Sequence, residues 1–360
     1  MKVLFIEPSG AGGIASYTFA LICGLAKQGV ECHLLTSTRW QHPLPENCYK
    51  YSVFSGKTTN PISLFWRCWR LRKMVDIIHW QSTTHPELIR LLMKFILLKG
   101  KPWAYTVHNV LPHEEKENKK LLYQDIYQRV QGLIFHTHYS MCEFQNTFPG
   151  VQKKCVEIAH GEMSLLSDEQ TTFGVKSDPR LLLFFGNIRP YKGLDTLLQA
   201  FAETRKEFSD VRLRIAGQPL QPFQPFEEMI QLLQIEDGVD LQLGYIPENK
   251  IADLIAESGV VVLPYRRIDQ SGVLLLAMGG GKAVVASCVG GFPEVVRHEK
   301  TGLLVPPDDP YSLANALLRL LRDPEWANEL GQAARLDVRS RFSWDLIAKQ
   351  TLSFYLELTQ

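Results

Sequence analysis

Short apolar segments alternate with helical or polar segments along the whole chain, and this alternation most limits its fold. Strand candidates in the first half are residues 2–7, 30–36, 75–80, 103–107, 133–136 and 155–158. Those in the second half are residues 181–185, 211–216, 239–243, 260–263 and 283–286. Strands that alternate with helices form parallel sheets with helices on both faces. We therefore predict an α/β fold with two doubly wound domains.

The length of the chain also favours two domains. It has 360 residues, more than one hydrophobic core usually holds. A polar stretch without sustained periodicity, residues 167–179, separates the two sets of strands. We predict one domain over residues 1–166 and a second over residues 167–343.

Composition excludes several classes of protein. No apolar stretch reaches the ~18 residues that a membrane-spanning helix needs, and the longest is interrupted by Arg90 and Lys94. The first apolar run is too short for a secretory signal, and the seven cysteines contain no CxxC pair. We expect a cytoplasmic protein with reduced thiols.

The charge is distributed unevenly. Residues 1–165 contain 19 Lys and Arg against 12 Asp and Glu, a balance of +7. The remainder contains 20 against 26, a balance of −6. This asymmetry indicates that the two halves face different partners, or that the first half faces an anionic surface.

Residues 181–201 combine a buried strand, a short loop and an amphipathic helix. The apolar run stops at Gly186, and apolar residues recur at helical spacing after Gly193. Arg189 and Lys192 lie in the loop, where backbone N–H groups and two cations can bind an anion such as phosphate. The alternative is that both cations are solvated surface charges.

A glycine-rich segment, SGAGGIA at residues 9–15, follows the first strand and satisfies the G-x-G-x-x-A dinucleotide pattern. Nicotinamide enzymes also need a carboxylate about twenty positions later, and the second strand ends at Arg39 without one. Arg39 can bind a 2′-phosphate, so an NADP-dependent oxidoreductase is one alternative function. The third alternative is a glycine turn that only allows strand and helix to pack closely.

Histidines end several of the predicted strands. His108 closes a strand at the same sheet edge as the glycine-rich segment, where it can bind a sugar hydroxyl or simply bond the backbone. His136, His138 and His160 have similar positions with weaker context. No HxxxH or HxxE spacing supports a metal site.

Two further segments of the second half carry candidate ligands for the same site. Ser271, Gly272 and Val273 precede a buried helix, so their N–H groups form a second anion site. Glu294 follows a Gly290-Gly291 turn and can accept hydrogen bonds from hydroxyls or cap a short helix.

Seven motifs have a characteristic order and spacing. They are Gly12-Gly13-Ile14, Thr106-Val107-His108-Asn109, the loop from Gly186 to Gly193, Gly244-Tyr245-Ile246-Pro247, Gln270-Ser271-Gly272, Val284-Val285-Ala286-Ser287 and Gly290-Gly291-Phe292-Pro293-Glu294. Together they resemble the retaining nucleotide-sugar glycosyltransferases of family four. This resemblance implies the GT-B fold, two Rossmann-like domains facing a central cleft, with a C-terminal helix (residues 344–360) crossing back onto the first domain.

The resemblance also implies roles for individual residues. Arg189 and Lys192 would hold the diphosphate and stabilise the leaving group without a metal ion, and no Asp-x-Asp triplet is present. His108 would contact the donor sugar. The other donor-binding residues implied are Gly12, Gly13, Asn187, Tyr245, Ile246, Asp269, Gln270, Ser271, Gly272, Val273 and Glu294.

Two positions depart from the family pattern. Family members carry two glutamates eight residues apart ahead of an Ala-Met pair, and this chain has Ile268 and Leu276 there, so that only Asp269 can replace the sugar-binding carboxylate. The arginine that usually follows the loop glycine is Asn187, and the nearest arginine is Arg189.

The segments from Leu64 to Met74 and from Leu88 to Lys101 interleave aromatic, aliphatic and basic residues. Segments of this type bind anionic membrane interfaces, which predicts a peripheral enzyme on the inner face of the membrane with a lipid-linked or saccharide acceptor. The alternative is that Trp66 and Trp69 lie in the core while the arginines reach water.

We therefore expect a cytoplasmic, metal-independent, retaining glycosyltransferase. It would move a sugar from a nucleoside diphosphate sugar to an acceptor hydroxyl, in polysaccharide or glycolipid synthesis, with no further cofactor and no nucleic-acid partner. An NADP-dependent oxidoreductase and a non-catalytic two-domain sugar-binding protein are the alternatives.

Overall fold

The chain forms two compact units in a computed structural model. The structure describes residues 1–54, 61–81, 87, 90, 100–111, 116–162 and 177–360. One unit contains Met1–Gly161 and Phe342–Gln360, and the other contains Glu162–Arg341. The predicted boundary at residue 166 lies outside the described residues and stays a prediction.

The first unit is built on a seven-stranded parallel sheet with the order β3-β2-β1-β4-β5-β6-β7. Its strands are β1 (Lys2–Glu7), β2 (Glu31–Ser37), β3 (Cys48–Phe54), β4 (Ile77–Trp80), β5 (Trp103–Val107), β6 (Gly132–Phe135) and β7 (Lys154–Glu157). The sequence reasoning missed β3. This edge strand is largely exposed and lacks the apolar run of a buried strand.

The second unit contains a six-stranded parallel sheet with the order β10-β9-β8-β11-β12-β13. Its strands are β8 (Asp178–Phe185), β9 (Arg212–Gly217), β10 (Val239–Leu243), β11 (Ser258–Leu263), β12 (Ala283–Ser287) and β13 (Leu303–Val305). The prediction missed β13, which has only three residues. Two doubly wound α/β units are present, as predicted.

Helices connect the strands of both sheets. They are α1 (Gly13–Lys27), α2 (Pro61–Leu71), α3 (Lys116–Arg129), α4 (His138–Thr147), α5 (Leu194–Arg205), α6 (Gln224–Leu232), α7 (Glu248–Glu257), α8 (Gly272–Gly279), α9 (Phe292–Val295), α10 (Pro310–Arg322), α11 (Pro324–Arg341) and α12 (Trp344–Thr359). Two short 3₁₀ turns lie at Pro190–Lys192 and Glu236–Gly238. No helix in the described part of the chain is long and apolar enough to cross a membrane.

Strand β1 shows why the central strands read as continuous apolar runs. Its alternate residues Val3 and Phe5 lie in one apolar cluster of the first unit, whereas Leu4 and Ile6 lie in a second. All four side chains are fully buried. A parallel strand covered on both faces needs no polar side, so its sequence does not alternate.

The C-terminal helix α12 packs against the first unit at residues without side chains. A Cβ atom on Gly24 of α1 would lie 2.9 Å from both the carbonyl oxygen of Trp344 and the Cβ of Ala348. A Cβ on Gly161 would overlap the indole ring of Trp344. These glycines allow the helix backbones to approach closely. The predicted return of this helix to the first domain is confirmed.

We expect Gly24→Val to lower the free energy of unfolding of the first unit by about 1–3 kcal/mol, because the added methyl groups would push α12 away from α1. Chemical denaturation measures the change. Gly150→Val is the matched control, since a Cβ at Gly150 meets nothing within 4 Å. Equal stability of the two variants would contradict this packing.

Candidate active site

The loop after β8 places a lysine inside the second unit. Gly186 has a φ of +104°, and a Cβ on it would lie 2.8 Å from Nζ of Lys192. Glycine at this position therefore lets the ammonium approach the backbone. Lys192 ends the 3₁₀ turn that precedes α5.

The ammonium of Lys192 is almost fully withdrawn from water. The residue is 6% exposed, and Nζ lies 5.2 Å from the ring centroid of Tyr265. Burial lowers the pKa of Lys192 to about 7, and the charge of Arg189 lowers it as well. A desolvated cation gains more from an anionic ligand than a solvated one does, because the effective dielectric constant is lower.

Gly193 fixes the position of this loop against the neighbouring strand. Its φ is +66°, and a Cβ on it would overlap the carbonyl oxygen of Pro264, directly after β11. The turn from Pro190 to Gly193 therefore packs against the end of β11 at the carboxyl edge of the sheet.

Arg266 holds the same turn from the other side. Its Nη1 donates to the carbonyl oxygen of Pro190 over 2.8 Å, and its backbone N–H donates to that of Tyr191 over 2.7 Å. The guanidinium also forms ion pairs with Asp195, at 2.7 Å, and with Asp308, at 2.5 Å. Arg266 is thus a structural clamp between three strand-end loops, and its charge is already compensated. Sequence reasoning gave it no role.

The ends of β9 and β10 lie beside the lysine loop. The backbone N–H of Gly186 donates to Ala216 in the ladder with β9, and Gly244 donates to the carbonyl of Gly217 over 3.0 Å. Tyr245 follows and is exposed, whereas Ile246 is half-buried. The register of the parallel strands thus brings the Tyr245 segment to the same sheet edge.

The loop after β11 contributes the start of α8. Ser271 caps this helix, because its Oγ accepts a hydrogen bond from Leu274 N over 3.3 Å. Val273 contacts the position that a Cβ of Gly186 would occupy, at 3.5 Å. The amino end of α8, which includes Gly272, therefore lies next to the lysine loop.

The remaining candidates of the second unit differ in accessibility. Asp269 is buried, and Oε1 of Gln270 is a buried acceptor without a hydrogen-bond partner among the residues the structure describes. Glu294 is half-buried in the first turn of α9, whereas Asn187 is exposed. A Cβ on Gly290 would overlap the carbonyl oxygen of Ile268, so the turn before α9 packs against the β11 loop.

Gly12, Gly13 and His108 belong to the first unit, at the carboxyl edge of its own sheet. Gly12 precedes α1 with a φ of +80°, and Gly13 begins the helix. A Cβ on either residue would meet nothing within 4 Å among the residues the structure describes. The structure thus places the candidate residues at two sheet edges, one in each unit.

Sequence reasoning missed a buried carboxylate, Glu7 at the end of β1, which lies directly before this glycine-rich loop. Glu7 is fully buried and accepts hydrogen bonds from Gly10 N over 2.7 Å, from Ser9 N over 3.1 Å and from the Thr36 hydroxyl over 3.2 Å. These bonds hold the loop in its turn. The available signal was an acidic residue at the end of an otherwise apolar strand.

His108 lies in a cluster of four buried histidines. Tyr17 stands between three of them, with ring centroids 5.1 Å from His108, 5.0 Å from His136 and 4.9 Å from His160. Both ring nitrogens of His79 are hydrogen-bonded as well, to Tyr355 and Thr106. His138, the other strand-end candidate, is exposed.

Burial keeps these imidazoles uncharged. It lowers the pKa of His79 and His136 to about 3 and that of His160 to about 4. The pKa of His108 is held well below its usual value by burial and by the neighbouring histidines. The cluster is therefore neutral at physiological pH.

Helix α2 presents an aromatic surface to solvent. Trp66 is 59% exposed, its neighbour Phe65 is exposed, and Met74, three residues after the helix, is exposed as well. Trp69 is half-buried against the core, with Nζ of Lys73 3.9 Å from its ring centroid. The alternative that these tryptophans lie in the core therefore holds for Trp69 and not for Trp66. The segment from Leu88 to Lys101 lies almost entirely outside the described residues.

Two protein families match this chain, one for each of the two units. Residues 179–323 match the family described as glycosyl transferases group 1, and residues 11–161 match glycosyltransferase family 4. A D-inositol 3-phosphate glycosyltransferase of Corynebacterium efficiens is 33% identical over 79% of this chain and 72% of its own. The chain belongs to glycosyltransferase family 4. An uncharacterised glycosyltransferase of Methanocaldococcus jannaschii is 26% identical over 99% of this chain and 98% of its own.

Solved structures share the fold of this family 4 chain. A sucrose-phosphate synthase of Thermosynechococcus elongatus has a TM-score of 0.80 at 23% identity, covering 99% of both chains. Anabaena HepE, solved in complex with UDP-glucose, has a TM-score of 0.77 at 18% identity, covering 99% of this chain and 100% of its own. The predicted GT-B fold is confirmed.

Family membership also decides between the classes of function. The chain is a glycosyltransferase. This excludes the two alternatives, an NADP-dependent oxidoreductase and a non-catalytic sugar-binding protein. The individual site residues stay predictions, and the geometry above supplies the reasons to test them.

We expect Arg266→Lys to lower the free energy of unfolding of the second unit by about 1–2 kcal/mol, because lysine cannot replace the forked hydrogen bonds and leaves Asp195 and Asp308 less compensated. Urea denaturation measures this effect. The control is Arg267→Lys at the adjacent exposed arginine. If both variants unfold at the same urea concentration, Arg266 does not hold the loop.

Proposed function

We propose that this glycosyltransferase uses a nucleoside diphosphate sugar as its donor and transfers the sugar to an acceptor hydroxyl with retention, without a metal ion. The observation that carries the proposal is the buried ammonium of Lys192 at the carboxyl edge of the second sheet. The complexes of Anabaena HepE with UDP and with UDP-glucose show such ligands bound in a protein of this fold.

Lys192 is suited to stabilise a leaving diphosphate. Negative charge grows on the diphosphate as its bond to the sugar breaks, and a preorganised cation in a dry site stabilises that charge strongly. The clamp of Arg266 holds the turn before the reaction, so little reorganisation is required. A bound diphosphate would also raise the pKa of Lys192 and keep the amine protonated.

The amino end of α8 supplies a second contact for the same anion. Its free N–H groups carry the positive end of the helix dipole, and the side chain of Ser271 already caps the helix. The side chain of Val273 lies next to Gly186, which brings this helix end to the lysine loop. Together with Lys192 and Arg189, these groups can surround a diphosphate without a metal ion.

The other donor-binding roles rest on the family resemblance and on location. Tyr245 and Ile246 would contact the base, and Asn187 would lie beside the diphosphate. Asp269, Gln270 and Glu294 would bind donor hydroxyls, for which the unsatisfied Oε1 of Gln270 is a ready acceptor. Gly12, Gly13 and His108 of the first unit keep their predicted contacts with the diphosphate and the donor sugar.

We expect Lys192→Ala to lower the turnover number ~100-fold, because one charge-stabilising donor is lost. Assays with a screened panel of UDP- and GDP-sugars, with and without EDTA, measure the change. Lys282→Ala is the matched control. Lys282, directly before β12, is also a lysine of the second unit whose pKa burial lowers, to about 8, but its Nζ donates to the carbonyl of Ala256 in α7 over 2.6 Å.

Four measurements test this proposal. Wild-type turnover in Lys192→Ala would remove the lysine from the mechanism, and loss of turnover in EDTA would contradict metal independence. NMR of the product distinguishes retention from inversion at the anomeric carbon. Binding titrations with UDP, GDP and NADPH test the donor class directly.

We further propose that the surface formed by Phe65, Trp66, Arg67, Arg70 and Met74 binds an anionic membrane and brings the enzyme to a lipid-linked acceptor. The side chains that flank the exposed rings are basic, and the first 165 residues carry the excess of positive charge. Aromatic rings insert at the headgroup level while basic groups bind anionic lipid.

We expect the wild-type protein to sediment with vesicles that contain anionic lipid at low salt. It should stay in the supernatant at high salt, and also when the vesicles contain only neutral lipid. Trp66→Ala should lower binding by about 10-fold, in line with the loss of one buried indole. Tyr311→Ala, an exposed aromatic residue of the second unit, is the control. Wild-type protein that stays in the supernatant would contradict membrane docking.

A further inference from the structure

A hydrogen-bonded chain runs through the strand ends of the first unit. His136 Nδ1 lies 3.0 Å from the carbonyl oxygen of Ile158, and His136 Nε2 lies 3.3 Å from His108 Nδ1. On the other side of the ring, His108 Nε2 lies 3.3 Å from Oε1 of Gln81. Gln81, directly after β4, is fully buried. Both nitrogens of His108 are therefore engaged within the protein.

The carbonyl oxygen of Ile158 determines where the protons are. A carbonyl only accepts, so the Nδ1 of His136 carries a hydrogen and donates it. His136 is neutral, since burial lowers its pKa to about 3, and its Nε2 therefore has a lone pair. The facing Nδ1 of His108 must then carry a hydrogen and donate to His136, because two facing lone pairs would repel each other.

With a hydrogen assigned to Nδ1, the neutral and the charged forms of His108 differ only at Nε2. Neutral His108 has a lone pair at Nε2, which needs a donor, whereas an imidazolium has a second N–H, which needs an acceptor. In the structure, Oε1 of Gln81 faces His108 and Nε2 of Gln81 lies 3.1 Å from His79 Nε2. A half turn about the terminal torsion exchanges oxygen and nitrogen at almost unchanged positions, so the amide can offer His108 either an acceptor or a donor. Gln81 can therefore bind both forms of His108.

The surroundings of His108 favour the neutral form. Among the residues the structure describes, the titratable groups that face it are His79 of β4, His136 at the end of β6, His160 after β7 and Tyr17 of α1. None of these is a carboxylate that could compensate an imidazolium. A buried charge without a partner costs several kcal/mol, about the scale of total stability.

We propose that His136 and Gln81 are positioning residues that hold His108 as the neutral Nδ1–H tautomer, with the amide NH₂ group of Gln81 donating to its Nε2. This inference rests on the proposed function, in which His108 contacts the donor sugar. The sugar becomes positively charged at its anomeric carbon as the leaving group departs. The neutral imidazole can exchange its hydrogen bond with Gln81 for one from a sugar hydroxyl. Because the ring is uncharged, it does not oppose the positive charge on the sugar.

The first test needs no variant and no activity. Two-bond ¹H–¹⁵N spectra of protein with ¹⁵N-labelled histidine distinguish Nδ1–H, Nε2–H and doubly protonated rings, and His108→Gln identifies the signal. We expect His108 to be the Nδ1–H tautomer at about pH 7 and to stay neutral down to about pH 6. A signal from the Nε2–H tautomer or from an imidazolium at pH 7 would overturn the proposal.

The second test places a negative charge at Nε2. In Gln81→Glu, the carboxylate would stabilise the imidazolium and raise the pKa of His108, whereas burial holds the pKa of the wild-type ring well below its usual value. Because the neutral ring is the active form, turnover should fall as the pH drops below the raised pKa, ~10-fold for one unit, and recover as the pH rises. Wild-type turnover should show no such loss.

Gln145→Glu, at an exposed glutamine of α4, is the matched control and should follow the wild-type profile. A Gln81→Glu profile identical to that of the wild type, with a neutral His108 in the spectra, would show that Gln81 does not set the protonation of His108. The spectra remain informative if transfer activity is absent, so failure of the proposed function and failure of this inference are distinguishable.

Discussion

Parallel strands require a crossover between each pair, so all strands of one sheet end at the same edge. In the second unit this geometry brings the loops after β8, β9, β10 and β11 together, although they are separated by up to about eighty residues in sequence. The ends of β1, β4, β5, β6 and β7 converge in the same way in the first unit. Each candidate site is a consequence of strand order and register, because no single loop carries enough groups.

The two edges carry opposite kinds of chemistry. At the second sheet, a lysine is kept in a dry environment by Tyr265 and the backbone of Gly186, while Arg266 is neutralised by Asp195 and Asp308. Lys192 is thus available to bind an anion, whereas Arg266 stabilises the loops around it. At the first sheet, burial makes four histidines neutral, so that this histidine cluster offers hydrogen-bonding groups and no charge at physiological pH.

Much of the fold could be predicted because buried parallel strands have a clear pattern of continuous apolar residues. Strand β3 was missed because an exposed edge strand lacks that pattern, and β13 because three residues are too few to form one. The site was predicted where glycines and cations follow strands, as at Lys192. Gln81 and Arg266 were not predicted, since their partners are distant in sequence and only the sheet order makes them neighbours.

The sequence by itself determined the two doubly wound units and the family, because these depend on local patterns and on motif order, and the family resemblance implied the return of the C-terminal helix. The tertiary structure alone decided which charged groups are free to act. Arg189, Lys192 and Arg266 are all cations in strand-end loops, yet only packing shows that Lys192 is desolvated and that Arg266 is held by two carboxylates. The physical reason is that desolvation and ion pairing depend on neighbours from several loops.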